Sequence, residues 1–213
     1  MSVEEKLKSD LGIDPERYMN DVVMSDDYAT FNISPNIDLS CGGGIREGTV
    51  TIVRGKEKLG KSTFCLQMAA NAQNHPDGLD RKIIYLDVEN KVEKRDLKGI
   101  HNLIHDDLSR FELVGSIEGK IITAERAFKY VENLISTHTN LIIVFDSISM
   151  LLTESESNYD FTSGKTYMSN CARFSAIFFR KMAQLMRPTK NTLLAITHDY
   201  AWIVSNKITC HKI

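Results

Sequence analysis

Gly55, Gly60, Lys61 and Ser62 stand at the spacing G-x-x-x-x-G-K-S, and each residue type has a use against a phosphate chain. Glycines at both ends let a short loop curl until successive backbone N–H groups point inward at an anion. Lys61 supplies an ammonium that reaches β- and γ-phosphates, and the Ser62 hydroxyl is a hard oxygen ligand suited to Mg2+. The segment Gly55, Lys56, Glu57, Lys58, Leu59, Gly60, Lys61, Ser62 and Thr63 is therefore read as the cradle of a nucleoside triphosphate.

Three further apolar runs end in polar groups. Asp87 and Glu89 come after Ile83–Leu86, Asp146 ends LIIVF, and His198 ends TLLAIT. A carboxylate at the end of a buried strand can orient Mg2+ through its water shell, the role assigned to Asp146. Hydrolysis also needs a carboxylate that positions the attacking water. Glu89 is the candidate, with Asp87 its rival. His198 could contact a γ-phosphate and report its presence to a neighbouring loop.

The elements that must place these groups alternate along the chain. Thr49–Val53, Ile83–Leu86, Phe111–Val114, Leu141–Phe145 and Thr192–Thr197 read as strands. A helix follows the phosphate loop, and Ala124, Ala127, Phe128, Val131, Leu134 and Ile135 form an amphipathic stripe. A helix is expected from Lys91 to about Leu108 and a long one from about Tyr167 to Arg187, with Pro188 near its end. Three adjacent glycines, Gly42 to Gly44, predict a tight turn or a close backbone approach. Strands alternating with helices predict an α/β fold, a parallel sheet with helices on both faces. Ligands of such sheets bind at the carboxyl ends of the strands, where the polar groups lie.

Composition narrows the class. The 213 residues carry a net charge of −2 and 42% apolar residues, enough for a buried core and too balanced for a tail-driven nucleic-acid binder. Cys41, Cys65, Cys171 and Cys210 form no CxxC pair, so a reduced, cytoplasmic setting is expected rather than a disulfide or zinc framework. No apolar run approaches the roughly 18 residues that span a bilayer, so no membrane partner is expected. The polar, acidic N-terminus does not resemble a signal peptide.

Taken together, these residues resemble the RecA family of recombination ATPases, and more loosely its UvsX-like members, from about Ile33 to Tyr200. GKEKLGKS is similar to the family's Walker A loop, and LIIVFDS to Walker B with its carboxylate on Asp146. YLDVEN resembles the strand carrying the catalytic glutamate, which falls on Glu89 rather than Asp87. LLAITHDY resembles the γ-phosphate sensor strand, with His198 where UvsX-like proteins also have histidine. The resemblance implies a RecA-like P-loop NTPase core over residues 33–213, preceded by an N-terminal arm over 1–32. It implies ATP and Mg2+ as ligands, with Ser62 and Asp146 at the metal and Lys61, Glu89 and His198 in catalysis.

It also implies single-stranded DNA as a partner, a homo-oligomer (filament or ring), and DNA contacts near Glu154 to Lys165, with Tyr159, Phe161 and Lys165 as candidates. After Tyr200 only AWIVSNKITCHKI follows, where family members continue through a glycine-rich second DNA loop. Trp202 and Lys207 could replace some of its contacts. The expectation is a C-terminally shortened chain whose sheet lacks edge strands and exposes unpaired backbone, and whose ATP hydrolysis is weak. The expected function is a DNA-dependent ATPase of homologous recombination and DNA repair. The alternatives are a RecA-fold helicase, a KaiC-like ATPase, or a non-catalytic nucleotide-binding regulator.

Overall fold

The structure is a computed structural model that describes residues 28–116, 120–159, 171–198 and 209–212, with positions 5, 8, 9, 12 and 14 before them. Its elements in order are β1 (Thr30–Phe31), α1 (Pro35–Ser40), β2 (Ile45–Arg46), β3 (Val50–Gly55), α2 (Lys61–Gln73), β4 (Ile83–Asp87) and α3 (Lys94–Lys98). Then come β5 (Phe111–Gly115), α4 (Ala124–Thr137), β6 (Ile142–Asp146), α5 (Glu154–Ser157), α6 (Cys171–Thr189), β7 (Thr192–His198) and β8 (Thr209–Lys212).

Five parallel strands form the predicted sheet in the order β5-β4-β6-β7-β3, and β8 adds antiparallel to the outer side of β3. β4 and β6 are buried along their whole length, which is why their sequences are apolar without alternation. One face is covered by α2, whose Phe64, Cys65, Met68, Ala69 and Ala72 pack on Val53, Tyr85 and Val144. The other face is covered by α4 and α6. There Phe128 stacks on Phe178 with ring centroids 4.2 Å apart, and Phe145 of β6 meets both edge-on. Register does the rest: Asp87 lies beside Asp146, and Gly55 beside His198. The polar strand ends thus form one row along the carboxyl edge of the sheet.

A buried ion pair ties the residues before β3 to the connection after α2. The Arg81 guanidinium, fully buried, donates to Glu47 Oε1 from two nitrogens (2.8 and 3.1 Å) and reaches Asp77. It also lies over the Phe31 ring, 4.9 Å from its centre. The glycine triplet serves both predicted purposes. All three residues have positive φ, and a Cβ on Gly44 would stand 2.6 Å from the Phe31 carbonyl oxygen.

Several expectations need correction. The helix expected from Lys91 to about Leu108 is only the five-residue α3. Gly99 caps it, Asn102 takes φ 59°, and Asp107 closes a turn by accepting from the Ser109 N–H and hydroxyl. The long helix, described from Cys171, runs through Pro188 to Thr189; Tyr167 lies outside the described residues. The edge of β3 is paired with β8 rather than open. Among the described residues no helix is long and apolar enough to cross a membrane.

Candidate functional site

β3 delivers the chain to the loop at Gly55, and α2 takes it up at Lys61. Between them two residues adopt left-handed backbone, Lys58 (φ 61°) and Gly60 (φ 80°). Gly60 is the N-cap of α2, and an added Cβ there would meet nothing within 4 Å. Its requirement for glycine is therefore conformational. Gly55 takes no positive φ and simply ends β3, so the curl comes from Lys58 and Gly60 rather than from both glycines.

Lys61 is buried, and its ammonium donates to the carbonyls of Gly55 (3.0 Å) and Lys56 (2.7 Å). Its charge is thereby held over the mouth of the loop, where an anion would meet it along with the amino end of α2. Ser62, one residue further, donates its hydroxyl to Asp146 Oδ2 at 2.5 Å, joining the loop to the end of β6. The Tyr85 hydroxyl donates to the same oxygen, also at 2.5 Å. Burial, and then the Asp146 charge, push the Tyr85 phenol well above its ordinary pKa. It therefore stays protonated and acts as a fixed donor.

Glu89 and Asp87 separate clearly. The Asp87 carboxylate turns back on its own loop and accepts from the Lys91 N–H (3.2 Å) and the Val92 N–H (2.8 Å). Glu89 points to other elements: its Oε1 accepts from Ser147 Oγ (2.7 Å) and His198 Nε2 (2.8 Å), and its Oε2 meets the Lys91 ammonium. Burial pushes the Glu89 pKa up, but the donors from Lys91, Ser147 and His198 outweigh it and hold the carboxyl below its ordinary value. His198 is steadied at its backbone, whose N–H donates to Ser149 Oγ at 2.8 Å.

These groups open onto one cleft of about 720 Å³. Of the predicted loop, Glu57, Lys58, Gly60, Lys61, Ser62 and Thr63 line it, together with Glu89, Asp146 and His198; Gly55, Lys56 and Leu59 do not. Ser62 and Asp146, a hydroxyl and a carboxylate in contact, are a donor set that fits Mg2+. Ligating atoms of Glu89, Asp146 and His198 also lie within 4.8 Å of one another.

The expected DNA segment is only partly described. It begins as α5, with Thr153 and Glu156 forming a capping box and Glu125 of α4 accepting from the Glu154 N–H. Tyr159 follows it, whereas Phe161, Lys165, Trp202 and Lys207 lie outside the described residues. Sequence reasoning missed Tyr85, Ser147 and Lys91. A signal for Tyr85 was available: it is the one hydroxyl in the run Ile83–Leu86, and a buried tyrosine needs a partner.

Comparison with known proteins gives a consistent picture. The family described as "RecA N-terminal domain" matches residues 19–203. Protein RecA of Ureaplasma parvum serovar 3 is 29% identical over 76% of this chain and 45% of its own length. The DNA repair and recombination protein RadA of Metallosphaera sedula is 27% identical over 82% of this chain and 51% of its own. The DNA repair protein RAD51 homolog 2 of Arabidopsis thaliana is 29% identical over 54% of this chain and 34% of its own. The chain spans about half the length of the RecA and RadA relatives it matches.

Proposed function

Because this chain belongs to the RecA family, we propose that it binds ATP with Mg2+ in the β3–α2 cleft. We further propose that it hydrolyses ATP in response to single-stranded DNA, as an oligomer in homologous recombination and DNA repair. The observation that carries this reading is the junction of Ser62 with Asp146 beside the junction of Glu89 with His198, all lining one cleft. Four segments distant in sequence contribute one group each, and each group has a role in phosphoryl transfer.

Lys61 and the loop N–H groups bind the phosphates, the ammonium leaving its two carbonyl acceptors for the stronger anion. Ser62 and Asp146 would hold Mg2+, which when bound neutralises charge on the β- and γ-phosphates. Glu89 positions the attacking water and takes up its proton. His198, already joined to Glu89, contacts the γ-phosphate and transmits its presence to the base. The names of two relatives, a DNA repair protein and a DNA repair and recombination protein, support the recombination and repair setting.

Binding is tested with a fluorescent ATP analogue and Mg2+ on the full chain. Wild type is expected to bind saturably, and Lys61→Ala to weaken binding more than about tenfold, the loss of a charged hydrogen bond to phosphate. Equal affinity in the two proteins would contradict the assignment.

A further inference from the structure

Lys91 stands on the loop that carries Glu89 and lines the same cleft. Its backbone is unusually well fixed for a loop lysine. Asp87 accepts from its N–H at 3.2 Å and from the N–H of Val92 at 2.8 Å. The preceding Asn90 takes a left-handed φ of 50°, and its side-chain oxygen accepts from the Ser116 N–H at 2.9 Å. The side chain, in contrast, is 71% exposed, so the ammonium can change partner with little loss of packing. That ammonium contacts Glu89 Oε2, and the other oxygen of the same carboxylate holds His198. The charges of Glu57 in the phosphate loop and of Asp146 beneath it also act on Lys91 and, after the Glu89 hydrogen bond, raise its pKa. The ammonium lies at the cleft in contact with the base.

We propose that Lys91 is a γ-phosphate contact supplied by the chain's own β4 loop, parked on Glu89 until a nucleoside triphosphate draws it away. This rests on the ATP-binding reading above. Two anions compete for one cation. Lys61 nearby also holds its ammonium on acceptors of the chain itself, the carbonyls of Gly55 and Lys56. A terminal phosphate carries more charge than a carboxylate and offers three acceptor oxygens, so it wins the exposed lysine. The transfer frees Glu89 Oε2, an acceptor that can then take a proton from water. A diphosphate lacks the γ-phosphate and is expected to leave Lys91 on Glu89. Presence of the γ-phosphate and availability of the base become one event.

The test is equilibrium binding of a slowly hydrolysed ATP analogue and of ADP, each with Mg2+, to wild type, Lys91→Met and Lys91→Arg. Lys91→Met is expected to weaken the triphosphate about tenfold and leave ADP unchanged. Lys91→Arg should retain most of the preference. Glu89→Gln, which removes the rival anion, should tighten the triphosphate severalfold in the Lys91 protein and not in Lys91→Met. A simple structural role would not produce that last dependence. Equal weakening of both nucleotides, or none, in Lys91→Met and in a second variant, Lys91→Gln, would overturn the inference while wild-type binding preserved the parent reading. A wild type that binds neither nucleotide overturns both.

Discussion

Replacing Tyr85 with phenylalanine removes one oxygen atom from the interior of the sheet, and the structure says what that oxygen does. Its hydroxyl donates at 2.5 Å to Asp146 Oδ2, and the ring is fully buried in β4 between β5 and β6. A hydrogen bond to a charged group contributes about 1.5–3 kcal/mol net. Asp146 keeps the Ser62 donor on the same oxygen, which places the expected loss in the lower half, about 1.5–2 kcal/mol. For a chain of this size that corresponds to a fall in Tm of about 3–8 °C. The carboxylate would also lose the donor that fixes its rotamer, so Mg2+-dependent ATP binding should need several times more Mg2+. Tyr130→Phe is the control. That hydroxyl donates to Glu112 Oε1 at 3.1 Å from a half-buried position, and its loss should cost about 0.5–1 kcal/mol. Denaturant unfolding of the three proteins gives the comparison. A Tyr85→Phe cost no larger than that of Tyr130→Phe, with an unchanged Mg2+ requirement, would refute the assignment of Tyr85 as the fixed donor behind Asp146.

Two further outcomes are expected. Glu47→Ala should destabilise the fold by about 1.5–3 kcal/mol, because the buried Arg81 loses its charged hydrogen bonds to Glu47 and keeps only those to Asp77 and the Ala72 carbonyl. The Glu47→Leu/Arg81→Met pair should cost far less than its singles summed, as a thermal or urea double-mutant cycle would read. Stability should also fall on acidification. Asp77 is held well below its ordinary pKa by the Arg81 hydrogen bond. Glu112 is lowered chiefly by Lys82, and Glu89 is lowered by its three donors against the opposing effect of burial. A carboxyl with a depressed folded-state pKa stabilises fully above its unfolded value and loses that contribution as pH drops toward the folded one. The loss should begin below about pH 5 and steepen below about pH 4, as unfolding curves across that range would record.

The legible parts of this molecule were those written locally. β4 and β6 were found because buried parallel strands are continuous apolar runs, whereas β5, an edge strand with Glu112 inside it, was legible only as a short run. The polar residues ending them were found because such sheets present their carboxyl ends to ligands. Apart from the resemblance of YLDVEN, nothing in the sequence separated Glu89 from Asp87. The separation depends on a loop turning one carboxylate onto its own N–H groups and the other across to Ser147 and His198. The roles of Tyr85 and Arg81 were illegible for another reason. Their partners, Asp146 and Glu47, are 61 and 34 residues away, brought together only by strand register and by folding of the segment before β3. The stretch after α3 misled because its polar residues close turns with Asn102 in left-handed backbone, a conformation that helical propensity does not register.

In the proposed function one cleft turns over ATP under control of DNA, with Glu89 positioning water. ATP hydrolysis by the full chain, with and without single-stranded DNA, tests it beside Glu89→Gln. Turnover should rise on adding DNA and fall about 10²- to 10⁴-fold in the variant, the span of a positioned general base. Turnover indifferent to DNA, or a Glu89→Gln protein as active as wild type, would contradict it.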